Sequence, residues 1–502
     1  MKNEIRSLNE PSLNEPQRFA RDIVWVALSQ VITSLLGIIT LPALTKSYGS
    51  EIYGVWTQIL VTSQLLAPIL ILQLNTSVVR YLAAENNRGK LRQAFGTMFW
   101  AVIFFTFLAL IILLIVRQEL ASILFVDPKY VIFVSLAFIW ATTTSIFIFL
   151  LSYLRAKNRI KELSIFQLVC SVIKVILIFS FASSKSSLEG IVASQIITEL
   201  FFIGLISMVI TKEIGIPPIG FKNLKKYLAL STPQVLNENF LWILNASDRY
   251  FITHYLNLSQ TGIYSAASSL GGIISLFYSP IAFVLFPTVS KLWEQKETKM
   301  VKNYLEYSTK LFLTFAIPGT AGLYLLAQPL LKSLATQEFI VSGEMVLLLA
   351  LGIVFLGIYY VNIYIIFLVQ KTRWIPLIIG ISAIISVVIN VILIPSMGIM
   401  GAAISKIISF FILAAIVTVW AQRTLSYKID LHYLLKLILA SFIMIFCLKF
   451  IKVDNLVEII FAIITGAIIF ISVLLLLKAF SKEDKKLIKE TFLNPILGSM
   501  KK

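Results

Sequence analysis

Between Arg92 and Arg117 the sequence reads AFGTMFWAVIFFTFLALIILLIV (94–116), a run without a single charge. A bilayer core takes about 20 mostly apolar residues as one helix, so this stretch alone is long enough to cross. Runs of the same kind recur near 22–45, 53–80, 130–154, 162–183 and 189–211, and again near 227–250, 262–290, 303–326, 344–369, 374–395 and 399–421. A last pair lies near 431–451 and 456–478. The expectation is an all-α integral membrane protein with about 14 transmembrane helices. Composition agrees: of 502 residues 58% are hydrophobic and 14% charged, against about 25% charged in soluble domains. Connections are too short to hold a soluble catalytic domain. Cys170 and Cys447 both sit in apolar runs, which argues against a disulfide scaffold or a cysteine zinc site. His254 and His432 cannot build a histidine-rich metal centre. No G-x-x-x-x-G-K-[ST] phosphate loop occurs, so neither ATP hydrolysis nor a bound cofactor is expected.

The formal charge of +18 would suggest nucleic acid in a soluble protein. Its distribution says otherwise. With the N-terminus inside and loops assigned alternately, inside segments carry about 32 Lys and Arg and outside segments about 8. The inside sets include Arg88, Lys90 and Arg92; Arg155, Lys157, Arg159 and Lys161; and Lys222, Lys225 and Lys226. The charge therefore fixes topology, with both termini cytoplasmic.

Transporters are often built from repeats, and weak self-similarity runs through this chain. KVILIFSF (174–181) resembles NVILIPSM (390–397), and GIVASQII (190–197) resembles GAAISKII (401–408). YGVW (53–56) matches TGIY (261–264), and LRAK (154–157) lies opposite QKTR (370–373). The chain divides accordingly into a cytoplasmic tail (1–21), a first six-helix bundle (22–212), a cytoplasmic linker (213–226), a second six-helix bundle (227–421), two extra helices (422–478) and a basic cytoplasmic tail (479–502).

Four stretches carry a family likeness: LTKSYGSEIYGVW (44–56), NTSVVRYLA (75–83), NASDRYFITHYLNLSQTGIYSAASSL (245–270) and NVILIPSMGIMGAA (390–403). They resemble the polysaccharide transporter family of the multidrug/oligosaccharidyl-lipid/polysaccharide flippase superfamily, nearest its O-antigen flippases of the Wzx type. The resemblance implies two bundles around a central cavity. It also implies translocation of an undecaprenyl-diphosphate-linked oligosaccharide across the bacterial inner membrane, with glycan polymerase and chain-length proteins as candidate partners. Lys46 stands where the family suggests Arg; the charge is kept but a bidentate contact is not. A cation-coupled multidrug exporter and a lipid II flippase are the alternatives within the superfamily, and a membrane glycan polymerase or ligase is the remote one.

Charges inside a bilayer are costly, so each needs a reason. Gln234, Glu238, Asn245 and Arg249 fall at steps of four, seven and four, with Trp242 on the same stripe and Asp248 beside it. Such a stripe forms either a wet wall for sugar hydroxyls or a set of interhelical hydrogen bonds. Asp248 and Arg249, at the outer end, either pair, reach the interface or touch substrate. Lys174 and Glu199 lie at comparable depth on adjacent antiparallel spans, which predicts an ion pair, structural or titrating during transport. Together with Glu238 they are the candidates for coupling to a proton or sodium ion. Lys406 has no acid near it in sequence and reads as an unpaired cation suited to an anion. Arg80 is explained by topology, and the family likeness also offers it as a grip on diphosphate, with Gln73 and Asn75 a turn earlier continuing the polar surface. Tyr264 is a candidate sugar contact in a span otherwise rich in small packing residues.

Overall fold

The computed structural model describes residues 15–428 and 430–479; the remainder of both charged tails lies outside the described residues. Helices joined by short turns make up the described chain, with no strand among them. In order they are α1 (Glu15–Leu70), α2 (Leu74–Leu82), α3 (Arg88–Ile115), α4 (Arg117–Leu124), α5 (Val131–Ala156), α6 (Ile160–Ser183), α7 (Leu188–Ile214) and α8 (Leu224–Ala246). There follow α9 (Asp248–Tyr255), α10 (Leu258–Gly271), α11 (Ser275–Glu294), α12 (Thr298–Leu334), α13 (Gly343–Leu368), α14 (Ile375–Met397), α15 (Ile399–Thr424), α16 (Leu431–Leu448) and α17 (Leu456–Leu476).

Local chemistry sets the boundaries. Asn87, Ser187, Asn257, Ser342 and Asn455 each accept a backbone N–H of the first turn that follows them, which satisfies donors a helix start leaves open. At the other end, Gly215 and Gly398 close α7 and α14 with positive φ.

Twelve described helices are long and apolar enough to cross a membrane. The count of about 14 differs for two physical reasons. The first two expected spans run together in α1, where Gly49 alone departs from helical geometry, at φ 74° and ψ −177°. Only glycine adopts that state without strain, so a kink replaces the expected loop. The seventh expected span corresponds to α8, whose Gln234, Asn237, Glu238 and Asn239 make it too polar to count. Leu72 and Gln73, both at positive φ, break the chain between α1 and α2. The joins at Ser247, between α8 and α9, and at the 3-10 turn Gly272–Ile274, between α10 and α11, keep helical backbone angles.

The chain resolves into two compact units, one containing residues up to Ser47 with Val55–Trp242, the other Tyr48–Gly54 with the chain from Ile243. In the first, Phe95, Phe149 and Tyr153 form an aromatic core with Met98, Ile206 and Ile210. Truncating one such ring costs about 3–5 kcal/mol. In the second, α16 and α17 pack through Leu437, Met444 and Phe470 onto Ala321 and Leu326 of α12.

Candidate functional site

The second unit gathers five of the residues singled out above. Asp248 opens α9, immediately after Ser247, and is buried. An acid in the first turn suits the helix dipole. Lys406 reaches it from α15, with Nζ 2.8 Å from Asp248 Oδ2 and 2.8 Å from the Asn245 carbonyl oxygen. Tyr264 of α10 donates its hydroxyl to the same Oδ2. Arg249 Nη1 lies 3.2 Å from Asp248 Oδ1 and 3.3 Å from the Asn245 carbonyl, while its Nε donates to Ser265 Oγ at 3.2 Å. Its weakest bond, Nη2 to Ser268 Oγ, is 3.5 Å long. Lys406 is therefore paired, correcting the sequence-based expectation of a lone cation. Its partner lies too far along the chain for local spacing to reveal. Two cations share one carboxylate, so the cluster carries surplus positive charge. Tyr264 is wholly buried, behind the charges rather than at an open surface.

The first unit holds a second cluster of different make-up. Lys174 Nζ on α6 meets Glu199 Oε1 on α7 at 2.5 Å. The same carboxylate accepts Trp140 Nε1 at 3.1 Å, Thr143 Oγ1 at 2.6 Å and Thr144 Oγ1 at 3.0 Å, all from α5. Glu199 is 3% exposed and Lys174 20%. One cation and three neutral donors surround one acid.

The remaining residues singled out from sequence lie in the first unit. Gln234 and Glu238 are exposed along α8. In a membrane-spanning segment such side chains need water rather than lipid around them. Trp242 is committed at its polar end, donating Nε1 to the Val61 carbonyl at 3.0 Å. Gln73 is buried, in left-handed conformation at the start of α2. The Oδ1 of Asn75 is buried without a partner, as are those of Asn237 and Asn239 on α8. Arg80, in the last turn of α2, and Lys46 are exposed.

Sequence reasoning missed a set of contacts around Ser50. Glu338, from the turn before α13, accepts the Ser50 N–H at 3.0 Å and its hydroxyl at 2.8 Å, capping the helix that restarts after Gly49. Ser50 Oγ also lies 2.6 Å from Ser259 Oγ. There the backbones of α1 and α10 touch. A Cβ on Gly54 would sit 1.9 Å from the Leu258 carbonyl oxygen, and one on Gly262 2.1 Å from that of Ser50. Gly54 and Gly262 are the matched glycines of YGVW and TGIY, so two equivalent positions of the repeat pack on each other. The repeat was the signal that could have found the pair.

Residues 19–293, more than half of the chain, match the family described as polysaccharide biosynthesis protein. The chain belongs to that family. Among its relatives is the probable low-salt glycan biosynthesis flippase Agl15 of Haloferax volcanii, 21% identical over 74% of this chain and 78% of that protein. A putative O-antigen transporter of Escherichia coli is 20% identical over 54% of this chain and 64% of its own length. In structure the chain is similar to the lipid II flippase MurJ in an inward closed conformation, with TM-score 0.75, 16% identity, and 90% and 98% of the two chains covered. It is also similar to an inward-facing multidrug resistance MATE family transporter of the MOP superfamily, with TM-score 0.64, 13% identity, and 81% and 98% covered. These likenesses establish the fold of that superfamily. The family member is a multi-pass membrane protein of flippase type, a transporter and not an enzyme.

Proposed function

We propose that the protein moves a polyprenyl-diphosphate-linked glycan, an O-antigen or capsule repeat unit on undecaprenyl diphosphate, from the inner to the outer leaflet of the bacterial inner membrane. The observation that carries this reading is the second unit's cluster, where Lys406 and Arg249 share the single carboxylate of Asp248. Surplus positive charge in a low-dielectric setting favours a multiply charged anion, and a guanidinium fits phosphate oxygens in pairs. Arg249, 13% exposed and held on one side by a 3.5 Å bond, is the group nearest to availability. The exposed amide and carboxylate of Gln234 and Glu238 on α8 suit sugar hydroxyls.

Translocation proceeds by alternating access of two six-helix halves, with the polyprenyl tail left in membrane lipid. Both termini are cytoplasmic in this scheme, and the product passes to the glycan polymerase and chain-length proteins. Outward movement of negative charge is favoured by an inside-negative potential by about 2.3 kcal/mol per charge per 100 mV. Of the coupling candidates, Glu199 is held by four donors, whereas Glu238 is exposed and better placed to exchange a proton or sodium ion. The test is a proteoliposome assay with a fluorescent polyprenyl-diphosphate oligosaccharide. Glu238→Gln and Asn245→Leu are expected to lower translocation with normal protein levels. Wild-type rates in both, or equal movement of a neutral glycolipid and of lipid-linked diphosphate, would contradict the assignment.

A further inference from the structure

The segment that joins α7 to α8 is strapped along one face of α3. Arg92 Nε donates to the Ile216 carbonyl at 2.6 Å, Trp100 Nε1 to that of Pro217 at 3.2 Å, and Thr97 Oγ1 to that of Lys222 at 3.3 Å. Between these donors lies Gly96, where a Cβ would sit 2.7 Å from the Pro218 carbonyl oxygen. The Phe221 ring packs on Phe104 at 6.4 Å between centroids. Arg92 is the last charge on α3 before its apolar run. Trp100, eight residues on, lies about 12 Å further along the helix axis. A chain leaving α7 after Ile214 and entering α8 at Leu224 thus dips alongside the apolar part of α3, with the carbonyls of Ile216, Pro217 and Lys222 satisfied by α3 donors. Backbone outside a helix is tolerated at such depth only when protein satisfies it.

The outward side of this dip is apolar and its rim is basic. Ile216 is 74% exposed, Ile219 76% and Phe221 51%. Cations flank the segment in sequence and along its neighbour: Lys212, Lys222 and Lys225 at its two ends and Arg88 and Lys90 at the start of α3, all exposed. Lys226 is drawn over the Tyr81 ring at 4.7 Å. The nearby acid Glu213 is paired with Arg159 at 2.7 Å, so it does not offset the rim. Hydrophobic side chains below a ring of cations match the boundary between acyl chains and anionic headgroups.

We propose that residues 215–223 form a membrane-embedded strap whose partner is the anionic phospholipid leaflet, Ile216, Ile219 and Phe221 entering the acyl region while Lys222 and Lys225 hold headgroup phosphates. The strap anchors the connection between α7 and α8 to lipid instead of leaving it as a solvated linker. The test uses the full chain with Ile219→Cys in a Cys447→Ala background, labelled with an environment-sensitive dye; Cys170 is buried. In phosphatidylcholine vesicles containing phosphatidylglycerol, the dye is expected to be quenched by lipids spin-labelled high on the acyl chain and shielded from aqueous iodide. Apparent affinity of the detergent-solubilised protein for short-chain phosphatidylglycerol is expected to fall about fivefold per charge in Lys222→Gln and Lys225→Gln. Both lysines are exposed, so these variants test lipid without disturbing packing. A dye open to iodide in vesicles overturns the strap and leaves the face to a protein partner. Shielding with affinity unchanged by the lysine variants overturns the headgroup contact.

Discussion

Lys174–Glu199 in the first unit and Lys406–Asp248 in the second are both ion pairs between helices on a buried carboxylate, yet they are neutralised in different ways. Glu199 has one cation and three neutral donors, a closed set that matches one negative charge with one positive. Asp248 has two cations and a tyrosine hydroxyl. In the matched repeat segments, Lys174 corresponds to Asn390 and Lys406 to Gln195, so the two units place their lysines on different helices of the pattern. Gln195 and Asn390 are nevertheless buried. A satisfied pair serves packing and position, whereas a cluster with surplus charge has capacity for a further anion. From this contrast we propose a structural role for the first unit's pair and substrate contact for the second's.

That contrast is open to direct attack. The largest effect is expected from Asp248→Asn, which leaves two buried cations without their acid and should cost about 3–5 kcal/mol, read as a lower unfolding temperature in detergent and reduced membrane abundance. Lys174→Met should cost about 3 kcal/mol by the same readout, because Glu199 keeps three neutral donors but loses its counter-ion. Lys406→Met should cost only about 1 kcal/mol, since Arg249 and Tyr264 still hold Asp248. If the Lys406 variant is destabilised as strongly as the Lys174 variant, the two clusters are alike and the contrast fails. Smallest of all is Lys310→Gln, expected to cost about 0.5–1 kcal/mol because its partners, Glu306 at i,i+4 and Asp430 at 3.6 Å, are both partly exposed.

Parts of this picture were legible in the sequence. Apolar runs gave the spanning helices though not their number, and counting depth from a short turn paired Lys174 with Glu199. The Asp248–Lys406 pair was hidden because its partners are 158 residues apart and no local period connects them. For the same reason Glu338 was invisible as the cap on Ser50, 288 residues away. The break at Leu72 and Gln73, both at positive φ, was not readable from hydropathy, which is blind to a helix that stops and restarts within an apolar run. The runs near 22–45 and 53–80 leave Gly49 in the gap between two expected spans, whereas here the helix resumes at once. The 213–226 segment, with Pro217, Pro218 and Gly220, reads as a cytoplasmic linker, whereas the carbonyls of Ile216 and Pro217 accept from Arg92 and Trp100 of α3.

The most direct test of the central claim is the translocation rate of Arg249→Ala in proteoliposomes carrying a polyprenyl-diphosphate oligosaccharide, measured beside its unfolding temperature. At 13% exposure and with a carboxylate that Lys406 still neutralises, Arg249 can be removed with little loss of fold. The account predicts translocation lowered at least about tenfold, the equivalent of 1.4 kcal/mol in phosphate contact, with the unfolding temperature near wild type. Wild-type translocation by that variant would contradict it.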